Sequence, residues 1–149
     1  MRAAAHARNR ATPVYAAVPT PGEPQIGVGR LSDVPLGGRG LTHSHDFPLL
    51  TYIESARGGM ARTGTHAWTV EAGDVYVIPP GTLVDGAGVA EAGPIRGWQV
   101  YFTPQALGPD VPGSNLAWRA HPLLFPFVRG AAHGVLRLHV PPPDRAAWS

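Results

Sequence analysis

Glycine and proline punctuate this chain so often that long helices have little room. The sequence holds 19 Gly and 17 Pro, and between them apolar and β-branched residues alternate with a period of two. Such punctuation permits short strands joined by tight turns. Residues 26–31 (IGVGRL) predict a first edge strand and the Gly-rich stretch 35–40 a turn. LTHSH (41–45) is a short polar-bearing strand, Pro48 interrupts it, and LLTYIES (49–55) resumes as β structure. MARTGTHAWTV (60–70) predicts a hairpin with Thr63-Gly64-Thr65 at its tip, EAGD (71–74) a turn, and VYVIP (75–79) an apolar strand stopped by Pro80 and Gly81. Residues 82–90 read as a further strand with Gly86 and Gly88 as bulge points, and IRGWQVYF (95–102) as a long one. Roughly eight strands in this span predict an all-β sandwich or jelly-roll barrel.

The flanks read differently. Residues 1–25 contain Pro13, Pro19, Pro21 and Pro24, which oppose helix and central strand alike, and predict a flexible arm. Beyond Thr103 the alternation weakens. PQALG (104–108) predicts one helical turn, 115–130 a short helix or extended cover, and GVLRLHVP (134–141) a strand. Asp144, after three prolines, marks the start of a helix. The expected organisation is an arm over 1–25, a ligand-binding barrel over 26–104, and an extension over 105–149 that packs on the barrel and begins a linker helix. A chain that ends there reads as part of a longer protein.

Charge and composition narrow the function. All twelve positive side chains are Arg. Residues 26–104 carry Arg30, Arg39, Arg57, Arg62 and Arg96 against Asp33, Asp46, Glu54, Glu71, Asp74, Asp85 and Glu91. The proposed barrel is therefore mildly acidic and shows no basic stripe of the kind that grips nucleic acid. Cys is absent, which excludes disulfides and thiol nucleophiles. No apolar run reaches the length of a membrane span, and no hydrophobic segment follows the basic start as a secretory signal would require. The expectation is a cytoplasmic protein without a membrane partner.

GLTHSHDFPLLTYIESARGG, then VEAGDVYVIPPG, then GWQVYF, in this order and spacing, resembles the N-terminal effector-binding domain of AraC-type transcriptional regulators, a branch of the cupin superfamily. The resemblance implies an all-β cupin or jelly-roll barrel that holds a small-molecule effector. It also implies that DNA is contacted only through a C-terminal helix-turn-helix domain absent from this chain, with a homodimer as a further expected partner. Metal-binding cupins place two His two apart, then a carboxylate, then a last His after the PxG turn. His43 and His45 match the pair, and alternation puts them on one strand face. The carboxylate positions hold Leu49 and Leu50, and the last His position holds Val84. The implied protein is thus a sensor without catalytic residues or cofactor; any metal would rest on His43 and His45.

Residue by residue, the expected effector contacts are His43, His45, Tyr52, Tyr76, Val84, Trp98 and Tyr101. His43 and His45 supply a donor and an acceptor each when neutral, with backbone or Asp46 as the structural alternative. Trp98, Val100 and Phe102 belong to one layer of their strand, and Gln99 and Tyr101 to the other. Tyr52, Tyr76, Trp98 and Tyr101 serve equally as core packing. Two other functions compete: a small stand-alone metal-dependent cupin enzyme of oxygenase or isomerase type, and a non-catalytic module with a filled interior and an exposed apolar patch.

Overall fold

The computed structural model describes residues 2–6, 12–18, 25–33, 42–108, 111, 117–131 and 134–148. Among them the strands are β1 (Arg2–His6), β2 (Val14–Val18), β3 (Ile26–Arg30), β4 (Thr42–His45), β5 (Leu49–Ser55), β6 (Met60–Thr63), β7 (His66–Thr69), β8 (Asp74–Ile78), β9 (Val84–Asp85), β10 (Arg96–Phe102) and β11 (Leu136–His139). Two α-helices, α1 (Ala87–Ala92) and α2 (Phe125–Ala131), join 3₁₀ turns at Leu31–Asp33, Pro104–Leu107, Ala117–Ala120 and Pro142–Trp148. The Gly-rich turn at 35–40, with Arg39, lies outside the described residues. Within the segment read as an arm, β1 and β2 pair antiparallel, and β2 adds parallel to β4.

The strands form two sheets: β1-β2-β4-β9-β6-β7 and β11-β8-β5-β10-β3. Both are open, and this corrects the expected closed cupin barrel, the all-β class and the AraC-type resemblance that rested on them. Among the described residues the fold is mixed α/β, strands joined with short α- and 3₁₀-helices. No helix-turn-helix occurs among the described residues either. The stretch read as a bulged strand over 82–90 also departs from expectation. Only Val84 and Asp85 are extended there. The Asp85 carboxylate accepts the Ala87 amide (2.9 Å), and AGVAEA, rich in helix-favouring alanine, coils into α1. Gly59 and Gly88 let this helix lie against β6, since a Cβ on either would strike backbone.

Alternation then sorts side chains onto two faces of the five-stranded sheet. Leu49 and Ile53 of β5 and Tyr76 and Ile78 of β8 point to the first core, where they meet Ala61, Trp68 and Val84 from the other sheet. The opposite face carries Leu50, Val77 and Phe102, covered by Trp118, Leu124 and Phe127. Leu124 is fully buried, and burial of such a side chain contributes about 1.5–3 kcal/mol.

β10 shifts register between Arg96 and Gly97 where it pairs with β5. A Cβ on Gly97 would fall directly against the Tyr52 carbonyl oxygen, which is held in the sheet and cannot yield. Gly97→Ala is expected to destabilise the fold by about 1–3 kcal/mol. Urea denaturation checks this; an unchanged midpoint would show that the bulge relaxes freely.

Candidate metal centre

The structure brings the two expected histidines together on β4. The rings of His43 and His45 lie edge to face with centroids 4.8 Å apart, and Tyr15 of β2 stacks on His45 at 5.6 Å. Phe47 closes the other side at 5.1 Å. His45 is buried, and its Nδ1 has no hydrogen-bond partner. Burial, reinforced by the neighbouring His43, pushes its pKa down to about 4. Such an imidazole is neutral across the physiological range. Among the described residues, no carboxylate or third imidazole joins the pair to make a set of three metal ligands.

The other expected contacts divide between the two faces. Val84 pairs with His43 across the β4–β9 ladder, and Tyr101 sits against Phe47 at 5.5 Å, so both belong with the histidines. Tyr76 also points to this core, where its ring meets Trp68 at 5.6 Å. Tyr52 and Trp98 face the opposite side of the sheet with Val75 and Val140. The seven residues therefore do not line one pocket.

A different cluster has ligand chemistry. Glu71 and Asp74 flank the turn into β8, and His139 ends β11 directly opposite Asp74 in the ladder. Ligand atoms of the three lie within 4.8 Å of one another. Asp74 is wholly buried, whereas Glu71 and His139 reach solvent. Its carboxylate accepts from the Tyr76 hydroxyl (2.5 Å) and the Glu71 amide (2.9 Å) on Oδ2. Oδ1 accepts from Arg137 Nε at 3.0 Å and lies 3.2 Å from His139 Nδ1. Burial by itself raises the Asp74 pKa, but these hydrogen bonds outweigh it and hold the carboxyl below its ordinary range. The same contacts push Tyr76 up, through burial first and then the Asp74 carboxylate, and push Arg137 up through its bond to Asp74.

The histidine tautomer follows from its neighbours. Arg145 NH2 lies 3.2 Å from His139 Nε2. A guanidinium only donates, so Nε2 accepts and Nδ1 carries the proton toward Asp74. Asp74 and Arg145 thus fix the orientation of the His139 ring between them. The structure corrects the expectation of a non-catalytic sensor: there is no closed barrel to hold an effector, and the Glu71–Asp74–His139 cluster has metal-binding and catalytic potential.

Sequence reasoning passed over this cluster because EAGD reads as an ordinary turn. His139 lies 65 positions from Asp74, and only the β8–β11 register joins them. No local signal in EAGD or in RLH (137–139) links the two segments. No protein-family model matches the chain, and no curated protein matches it.

Proposed function

We propose that this chain is a metal-dependent protein whose centre is Glu71, Asp74 and His139, and which takes one divalent transition metal such as zinc. The observation that supports it is the convergence of two carboxylates and one imidazole on an ionised, buried Asp74. Zinc accepts this mixture of oxygen and nitrogen ligands, and catalytic zinc sites use three protein ligands and leave a position for water or substrate. The exposure of Glu71 and His139 leaves that position toward solvent. A metal held there would supply Lewis-acid chemistry, polarising a substrate oxygen or lowering the pKa of a bound water. Of the two enzymatic and sensory readings, the metal-dependent one fits this geometry, on an open two-sheet fold instead of a cupin barrel.

The arginines define the conditions of binding. Arg137 occupies Asp74 Oδ1 and also approaches Glu71 at 3.5 Å. A cation between the carboxylates must displace Arg137, whose side chain is part-exposed. His139 must also give up its Nδ1 proton, which makes Nε2 unable to accept from Arg145. Arg137 is therefore a competitor for the metal position. Arg137→Gln is expected to tighten zinc binding by about tenfold, since removing a unit charge a few ångströms from the metal is worth at least about 1 kcal/mol. His139→Gln, which removes the imidazole ligand, is expected to weaken it strongly. Calorimetric zinc titration of the three proteins checks both; weaker binding by the Arg137 variant, or unchanged binding without His139, would place any metal elsewhere.

A further inference from the structure

The face of the five-stranded sheet that looks away from the histidines carries a cleft of about 770 Å³. Val28, Val100 and Leu50, side by side across β3, β10 and β5, line it together with Trp148 from the last 3₁₀ turn. Trp148 is held by Tyr52, ring centroids 5.4 Å apart. The volume lies within the roughly 300–1,000 Å³ of small-molecule sites. The lining is apolar, so the occupant must bring hydrocarbon or aromatic surface.

One cation stands beside the cleft, stacked on a residue that lines it. The Arg30 guanidinium lies 4.1 Å from the centre of the Trp98 ring, and Trp98 lines the cleft. Arg30 and Trp98 are directly paired across β3 and β10, so both project to the cleft side of the sheet. Among the described residues, no carboxylate lies within ion-pairing distance of Arg30. The stacking on Trp98 restrains the guanidinium while its edge stays available to planar, two-point recognition of a carboxylate.

We propose that this cleft binds an amphipathic monoanion, a fatty acid in chemical class, with its chain along the Val28–Val100–Leu50 row and its carboxylate on Arg30. The site is separate from the Glu71–Asp74–His139 centre, which lies on the opposite side of the same sheet. Neither reading depends on the other.

The test is titration of the full chain with dodecanoate and, separately, with uncharged dodecanol, read by tryptophan fluorescence and by NMR shifts of the indole N–H groups. Saturable one-to-one binding of dodecanoate below its micellar range is expected, with dodecanol weaker. Arg30→Gln is expected to weaken dodecanoate by about three- to fivefold, the range of an exposed ion pair, and to leave dodecanol unchanged. Val28→Glu, on an exposed position beside Arg30 that leaves the core intact, should repel dodecanoate more than dodecanol. No saturable binding would overturn the proposal. So would equal loss of both ligands in the Arg30 variant, or sedimentation showing that a second copy of the chain fills the cleft and excludes the anion.

Discussion

Asp74→Ala is expected to destabilise the protein by about 3–5 kcal/mol, the usual consequence of removing one partner from a buried charged network. The side chain is wholly buried and accepts from Tyr76, Arg137 and the Glu71 amide, with His139 Nδ1 beside it. Its loss strands the Tyr76 hydroxyl and the Glu71 amide, and a buried group left without a partner costs about 1–3 kcal/mol. The melting temperature should fall by roughly 10 °C in a chain of this size. Asp74→Asn keeps an acceptor oxygen without the charge and is expected to recover part of the loss. Urea unfolding of the two variants measures both. A cost below about 1 kcal/mol for alanine would mean that water replaces the carboxylate, against the observed burial.

The second large effect is a pH dependence of stability centred on His45. Its folded pKa is about 4 against an ordinary 6.5. Above pH 6.5 the imidazole is neutral in both the folded and unfolded states, and its contribution is fully present. Between pH 6.5 and 4 the unfolded chain takes up a proton that the folded chain refuses, so stability falls with pH. The full difference is on the order of 3 kcal/mol. Asp74 acts in a separate window. Its folded pKa is depressed below the carboxylate range, so its stabilisation is lost only as pH falls through that lower value. His45→Leu should flatten the decline between pH 6.5 and 4. Denaturation midpoints measured across this range would contradict the assignment if the variant and the parent fall in parallel.

Much of the strand order is legible in the residues, and the reason is alternation. LLTYIES and GWQVYF place apolar residues on both faces, so each reads as a strand buried on two sides, and the structure has β5 and β10 there. Trp98 and Phe102 do share a layer opposite Tyr101, as a period of two requires. The stretch 82–90 was illegible for a physical reason. Gly86 and Gly88 suit a bulged strand and a helix start equally, and an Asp85 side chain bonded to the Ala87 amide decides between them. That stretch therefore contributes only the two residues Val84 and Asp85 to a sheet before it coils into α1. The site shows the same limit. His43 and His45 were visible because they stand two apart in the short stretch LTHSH, and the structure sets them ring to ring. Glu71, Asp74 and His139 become neighbours only through pairing of two strands far apart in sequence. Local pattern cannot specify that register. Tyr52 and Trp98 were grouped with the histidines because aromatic residues on strands look alike until the facing of each strand is known.

We propose that Glu71, Asp74 and His139 together hold one divalent metal. Equilibrium dialysis of the full chain against zinc, followed by elemental analysis, tests it most directly when run beside a His139→Gln variant and a His43→Gln, His45→Gln double variant. One zinc per chain, retained by the double variant and lost by the His139 variant, is the predicted result. Zinc absent from the parent protein, or lost with His43 and His45 while His139→Gln keeps it, would contradict the account.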